Sequence, residues 1–479
     1  MSKSLYLTTA IPYVNGTPHV GHALDYCIAD VYYRYQTSLG NQVRFQAGTD
    51  EHGNKIAEKA KSAGIPVEEY VTQNSNVFRD FIKKLDVEPT DFIRTTDPDH
   101  IRRCQEIWEK ISPYIYSSTY EGWYCTGCES FITDKEYEEN HGICPDHKTP
   151  YENLSEKNYY LKISAFRDKI KSKIESDELK ILPEFRKKEI LNLIDDAPDV
   201  SISRPKKSLT WGIPVPNNED QVMYVWLDAL SNYITVLGFP ENDISDFWPA
   251  DLQVIGKDVL RFHAIIWPTM LLALNLPLPK VILCHGHVLS NGQKMSKSVG
   301  NVVNPLDILE KYGSEPFRYF FLRHIDTFAD SDFTWEKFDA AYSGELANDL
   351  GNLISRLSTL CAKNSVSLID SKTSLENLKQ SALSDQNYKD LMNSFEFSKA
   401  LDYIWSKIQN LNKKIDEEKP WALAKTNPKK AQESLKNLAH NLVETSFLLA
   451  PFLPETAQKI QEIFSQETIT PPAPLFPKF

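Results

Sequence analysis

A parallel α/β sheet, interrupted once by an insertion and followed by a helical bundle, is the fold class this 479-residue chain predicts. Three observations predict it. Strand-like runs alternate with amphipathic stretches from residue 5 onward. That alternation lapses after residue 117 and resumes at Gln221. From about Gly344, Leu, Ile and Ala recur at three- and four-residue spacing almost to the end.

The first run, residues 5–10 (LYLTTA), is β-rich and ends in the Pro- and Gly-dense IPYVNGTPHVGH. From Ala23 to Leu39 apolar residues fall at helical spacing, with Gly40 as the stop. Strand, glycine turn and helix together open a βα unit. A second apolar run, Val43 to Ala47, leads into GTDEHG and a helix expected over 54–63. Parallel sheets collect ligands at the carboxyl ends of their strands, so the turns carrying HVGH and GTDEHG are where a site is expected. From Ser118 to about Leu209 cysteines and aromatics dominate and the alternation fades, as in an insertion. Beyond Gln221 come YVWLDALSNYI, then LQVIG with its helix, then VILCHGHVL; a polar Lys-rich loop follows Asn291. The stretch 344–464 reads as a bundle, and TPPAPLFPKF as an extended surface tail.

The length exceeds one hydrophobic core, so several domains are expected. The apolar run from Trp267 to Leu274 is well short of the ~20 residues that span a bilayer. The N-terminus has no charged region leading into an apolar one, so no secretory signal is read there, and a cytoplasmic, membrane-free address is the expectation. Seven cysteines in so long a chain do not make a disulfide scaffold; three are bunched and four scattered. The net charge of −12 argues against non-specific nucleic-acid binding. Residues 346–479 hold 16 Lys and Arg against 15 Asp and Glu, so the acidity lies in the earlier part.

Three motifs carry chemistry. His19-Val20-Gly21-His22 sits where the first strand hands over to its helix. A glycine lets the backbone approach a ligand, a helix N-terminus offers free N–H groups to phosphate, and two histidines three apart add donors. Alone, the tetrapeptide reads more readily as a glycine turn flanked by surface or metal-binding histidines. Lys294-Met295-Ser296-Lys297-Ser298, on a loop rich in Gly and Asn, suits a mobile cationic clamp for a triphosphate, or a solvated basic loop. Cys125-x2-Cys128 and Cys144-x2-His147, separated by fifteen residues, present two ligands from each of two turns. That set fits one tetrahedral zinc with no open position, hence a structural role; His141 is spaced less suitably.

HxGH near the N-terminus with KMSKS about 270 residues later resembles the paired signature of class I aminoacyl-tRNA synthetases. Further stretches are similar to the methionyl branch of that family: Ala10-Ile11-Pro12-Tyr13, Gly48 to Gly53, Trp226-Leu227-Asp228-Ala229, and Gly256-Lys257-Asp258 through Phe262-His263 to Trp267-Pro268. The resemblance covers essentially the whole chain. It implies a Rossmann-like parallel-sheet catalytic domain (1–117 and 216–290) split by a zinc-binding connective insertion (118–215). A stem-contact region with KMSKS (291–345) and an α-helical anticodon-binding domain (346–479) would follow.

The implied reaction is ATP-dependent activation of L-methionine and its transfer to tRNA(Met), with magnesium accompanying ATP. The implied methionine pocket takes Ile11, Tyr13 and Asp50 from the first half of the sheet, with Asp50 on the α-ammonium. From the second half it takes Trp226, Ala229, Tyr233, Val259, His263 and Trp267, whose aromatic faces suit a polarisable thioether. An aromatic core stripe would explain Trp226 and Trp267, but not Asp50 and His263. For ATP, the resemblance implies His19, Gly21, His22, Lys294 and Lys297 along the phosphates, Gly256 and Asp258 at the ribose, and His285 to Val288 beside the adenine; His19, His22 and the two lysines would be the catalytic groups. Asn352, Arg356 and Trp421 would read the CAU anticodon, the tryptophan by stacking a splayed base. The signature has Val where isoleucine is usual, and relatives vary at Leu230 and Ser231.

Two rivals are weighed. Isoleucine and leucine enzymes carry large editing insertions that 118–209 is too short to hold, and a cysteine enzyme would place zinc ligands in its pocket. A catalytically silent tRNA-binding relative would not need HVGH, KMSKS and Asp50 intact. With no room for a further domain after the bundle, a monomer is expected.

Overall fold

The computed structural model of the chain describes residues 2–126, 128, 130–295, 301–368 and 374–477. The first half of the sheet domain runs β1 (Ser4–Thr9), α1 (Val20–Ser38), β2 (Gln42–Thr49), α2 (Asn54–Ala63), α3 (Val67–Lys84), β3 (Asp91–Arg94) and α4 (Pro98–Ile111). Next come β4 (Ile115–Cys125), β5 (Ser130–Ile132), α5 (Asp134–Glu139), β6 (Glu152–Leu161), α6 (Arg167–Glu175), β7 (Lys180–Leu182) and α7 (Glu184–Ile194). Short strands β8 (Val200–Ser201), β9 (Ser203–Pro205), β10 (Pro214–Val215) and β11 (Asn218–Met223) lead to α8 (Val225–Thr235), β12 (Leu252–Gly256), α9 (Trp267–Ala273) and β13 (Val281–His285).

Six parallel strands form the central sheet in the order β3-β2-β1-β12-β13-β7. The chain builds outward from β1 through β2 to β3, then returns on the other side of β1. The crevice at the carboxyl ends of β1 and β12 is therefore the topological switch point. β1 forms because its apolar run buries almost completely, from Leu5 to Thr9. α1 begins three residues before the expected start because His19 caps it, a signal that apolar spacing does not carry.

The insertion is built on an antiparallel sheet, β5-β4-β6-β8, whose long ladder runs from Ile115 opposite Leu161 to Tyr124 opposite Glu152. One part of the region expected as an insertion does not stay apart. β7 pairs in parallel with β13, Ile181 against Ile282, and is the sixth strand of the central sheet. Ile181, Ile190 and Ile194 bury in the same core as Leu230, Ile255 and Trp267.

After β13 come β14 (Val288–Ser290), β15 (Gln293–Lys294), α10 (Pro305–Tyr312), α11 (Ser314–Arg323), β16 (Ser331–Phe333) and α12 (Trp335–Ala341), which runs on through a π-helical stretch, Tyr342–Gly351. The bundle comprises α13 (Asn352–Lys363), α14 (Leu375–Ser384), α15 (Gln386–Asn393), α16 (Phe397–Glu418), α17 (Pro420–Thr426), α18 (Pro428–Leu449) and α19 (Pro454–Phe464). α16 stops at Lys419, which takes a left-handed φ of 45° just before Pro420 opens α17. The Pro-rich tail lies against the π-helical stretch, where Tyr342 donates to the Pro477 carbonyl (2.7 Å) and Phe476 is buried. Among the described residues, no helix is long and apolar enough to cross a membrane.

Candidate active site at the sheet switch point

His19 and His22 cap α1 reciprocally. His19 Nδ1 accepts from the backbone N–H of Gly21 (3.1 Å) and of His22 (3.4 Å), while His22 Nδ1 accepts from the His19 N–H (3.3 Å). The rings stack at 3.6 Å, and Phe78 meets His22 edge-on at 5.3 Å. Gly21 makes this possible, since a Cβ there would fall 2.9 Å from the His19 ring. His19 keeps an exposed edge and His22 is half-buried. Desolvation by the surrounding protein lowers the proton affinity of both, that of His22 further, so both are neutral near pH 7. With each Nδ1 occupied as an acceptor, the hydrogen bonds assign the remaining proton to Nε2. Two Nε2–H donors result at the N-terminus of a helix, a setting that favours a phosphate.

At the end of β2, Tyr13 and Asp50 form a parallel bridge, with Asp50 N donating to Pro12 O (2.9 Å) and Val14 N to Asp50 O (3.1 Å). Gly53, at φ 121°, closes this turn where the Tyr13 hydroxyl occupies the space a Cβ would need. Glu51, fully buried between them, is gripped by both branches of the Arg94 guanidinium at 2.8 Å. Asp50 itself is buried at the crevice.

The opposite wall comes from α8 and the segment before α9. Trp226 stacks on Phe262 at 3.7 Å, and Tyr233 lies 5.7 Å from both His263 and Trp267. His263 falls in a π-helical turn, Phe262–Ile266, where its Nδ1 donates to the Val259 carbonyl (3.0 Å). Its Nε2 therefore accepts from the Tyr233 hydroxyl (2.8 Å). Burial pushes the His263 pKa down to about 4, so the ring is a neutral acceptor. Ala229 lies between Trp226 and Tyr233 on the same helical face. Trp267 is wholly buried, and its indole N–H has no hydrogen-bond partner. Ile11, Trp226 and Val259 are half-buried.

Beyond β12, Gly256 and Asp258 start a short 3-10 turn, and His287 holds the Asp258 carboxyl below its usual range from 3.6 Å. His285 ends β13, donating to Asp25 Oδ1 (2.7 Å) and the Gly286 carbonyl (2.8 Å). Burial opposes its charge, but the Asp25 carboxylate more than offsets this and raises the pKa. Val288 is buried at the start of β14. Lys294 lies on β15, paired with Leu289. Lys297 and its neighbours 296–300 lie outside the described residues.

The sequence reading did not single out Asp25, and it quoted His52, Phe262 and Lys257 within the family stretches without giving them roles; the Lys257 ammonium pairs with Asp330 at 2.7 Å. Asp25 had a signal: a carboxylate on the apolar face of ALDYCIAD needs a buried partner.

The Cys125, Cys128, Cys144 and His147 ligand atoms lie within 4.8 Å of one another. Cys128 Sγ is 3.5 Å from Cys144 Sγ and 3.4 Å from His147 Nδ1, and Cys144 Sγ is 3.6 Å from that nitrogen. Ligands at ~2.0–2.3 Å from a tetrahedral zinc lie about 3.5–3.8 Å apart, so the set fits the ion. Trp123 stacked on Tyr137 at 3.8 Å backs the knuckle, in a satellite core of its own.

In the bundle, Asn352 is exposed at the start of α13. Arg356, one turn on, stands 5.1 Å over the Trp421 ring and pairs with Asp416 at 2.6 Å. Trp421 is 41% exposed, which separates it from the buried Trp405 of the bundle core.

Known proteins match this arrangement. The family described as tRNA synthetases class I (M) matches residues 5–153 and 146–358, and the anticodon binding domain of methionyl tRNA ligase matches 370–475. A methionine–tRNA ligase from Clostridium acetobutylicum is 42% identical over 479 residues, with 96% of this chain and 73% of that protein covered. One from Caldanaerobacter subterraneus is 40% identical over 475 residues, covering 96% and 74%. The solved Mycobacterium tuberculosis methionyl-tRNA synthetase in complex with methionyl-adenylate superposes with a TM-score of 0.90 at 34% identity, covering 99% of this chain and 100% of that one. With the sheet order, the HVGH turn and the bundle described, and matched over most of its length, the chain belongs to the methionyl-tRNA synthetase family of class I aminoacyl-tRNA synthetases.

Proposed function

We propose that this chain is a methionine–tRNA ligase that activates L-methionine with ATP and transfers it to tRNA(Met). The observation that supports the reading is a neutral two-histidine helix cap after β1 and a buried aromatic cluster around the Tyr233–His263 hydrogen bond after the neighbouring parallel strand β12. Relatives named as methionine–tRNA ligases and a neighbour solved with methionyl-adenylate support it.

Methionine enters with its ammonium on Asp50 and its thioether among Tyr13, Trp226 and Trp267; Ile11, Ala229 and Val259 limit the size of the side chain. Its carboxylate oxygen attacks the α-phosphorus of ATP and pyrophosphate leaves. His19 and His22 donate from Nε2 to the phosphate oxygens as charge develops there, and Lys294 and Lys297 close on the triphosphate. Gly256 leaves room for the ribose, Asp258 accepts from its hydroxyls, and His285 and Val288 border the adenine. The 2′-hydroxyl of the tRNA's terminal adenosine then attacks the activated carbonyl and AMP leaves. Magnesium accompanying ATP would supply charge neutralisation at the phosphates. One structural zinc is assigned to Cys125, Cys128, Cys144 and His147. Asn352, Arg356 and Trp421 read the anticodon. A monomer working in the cytoplasm completes the reading, with the domain boundaries given above except that β7 and α7 join the sheet domain.

Lys297→Ala tests the clamp. Methionine-dependent exchange of pyrophosphate into ATP is expected to fall by about two orders of magnitude, with methionine binding nearly intact. An unchanged exchange rate removes the assignment.

A further inference from the structure

The two walls of the methionine pocket come from different parts of the chain, and a buried polar clasp ties them together. Asp228 lies on α8, between Trp226 and Tyr233, and is 1% exposed. Its Oδ2 accepts from His52 Nδ1 (2.7 Å), and its Oδ1 accepts from His100 Nε2 (2.8 Å). His52 is two residues beyond Asp50, on the same turn; His100 lies on α4 and uses its other nitrogen on the Thr235 hydroxyl (2.7 Å). All three residues are at most 4% exposed. One turn further along α8, Asn232 accepts from Gln46 of β2 (2.8 Å). Both bonds bridge α8 to the strand, or the exit turn, that leads to Asp50.

A carboxylate this deeply buried is costly unless fully hydrogen-bonded, and two N–H donors satisfy it. Burial works against its ionisation, but His52 and His100 together hold its pKa below the usual value. The distances are those of hydrogen bonds between directly touching groups, with Cys104 Sγ also 3.2 Å from His100 Nε2. None of the three groups needs to reach substrate for the clasp to matter. Moving the turn away from α8 would separate Asp50 from the aromatic wall and leave the phosphate-binding helix in place.

We propose that His52 and Asp228 are positioning residues for methionine recognition, their buried hydrogen bond holding the Asp50 turn and the Trp226–Tyr233 face of α8 at one separation, with His100 bracing the carboxylate from α4. The inference rests on the pocket reading above.

Pyrophosphate exchange with the full chain tests it. Wild type must first show exchange stimulated by methionine; without that, the pocket reading itself fails, whatever the variants do. His52→Ala is then expected to raise the KM for methionine about tenfold while the KM for ATP stays within about twofold of wild type. His52→Asn keeps an N–H near the position of Nδ1 and is expected to restore most of the lost methionine KM. Asp228→Asn, which leaves one donor without an acceptor, is expected to follow His52→Ala, and the two changes combined should raise the KM no further than either alone. The proposal is overturned if His52→Ala leaves the methionine KM within about twofold of wild type, or if both substrates' KM values rise together. Should Asp228→Asn not fold, the His52 pair alone decides.

Discussion

At the scale of single residues, the chemistry of the site follows from hydrogen atoms placed by their neighbours. His263 is the sharpest case: a carbonyl fixes its Nδ1–H, Tyr233 donates to Nε2, and burial holds the pKa at about 4. The folded value lies below the unfolded value near 6.5, so the unfolded chain binds the extra proton first. No stability is lost above that unfolded value. Between it and about 4 the penalty grows as pH falls, toward roughly 3 kcal/mol, and acid unfolding curves should steepen in that window. Methionine affinity, by contrast, should hold steady down to about pH 5 and weaken only as the folded ring itself titrates. Equilibrium binding across this range checks the order of the two effects. Gly21→Ala should push the His19 ring off its cap and cut pyrophosphate exchange at least about tenfold, with methionine binding unchanged. HVGH stood out in the sequence as a glycine turn between two histidines, a pattern weak on its own, and Asp50 came forward only through the family resemblance. The Asp25–His285 and His52–Asp228 pairs were not legible, since their partners stand 260 and 176 residues apart.

At the scale of elements, the regular parts were the readable ones. The helix over Asn54–Ala63 and the helical region from Gly344 follow from apolar spacing and glycine stops. β7 was hidden because three residues are too few to show a period, and its pairing with β13 bridges about a hundred residues of sequence. The π-helical turn that aims His263 was hidden for a related reason: one extra residue per turn leaves no mark in composition. The zinc knuckle is an element too, and its small core depends on the ligands. Cys144→Ser should lower bound zinc from one per chain toward none and expose the segment around 125–151 to limited proteolysis, while the central sheet stays protected. Zinc analysis paired with peptide mapping checks this; full zinc retention in the variant would remove the ligand assignment.

At the scale of the whole molecule, one buried side chain fastens the bundle to the sheet domain. Arg318 of α11 is wholly buried and donates to Asp30 of α1 (2.6 Å) and to the carbonyls of Pro451 and Phe452 at the α18–α19 turn (3.0 and 2.9 Å). Arg318→Met leaves Asp30 to Arg34 alone (2.7 Å) and takes this donor from both buried carbonyls, so it should cost about 3 kcal/mol in denaturant unfolding; a loss under about 1 kcal/mol would contradict this. The net charge of −12, which could have pointed to a partner, decided nothing about tRNA. Methionine specificity is the central claim, and it rests on the pocket rather than on the signatures shared by the class. The most direct measurement is aminoacylation of tRNA(Met) by the purified chain with ATP and, in turn, methionine and each other standard amino acid. The expected result is efficient charging with methionine alone, lost when the CAU anticodon is changed. Charging with a different amino acid in preference to methionine, or no charging at all, would contradict it.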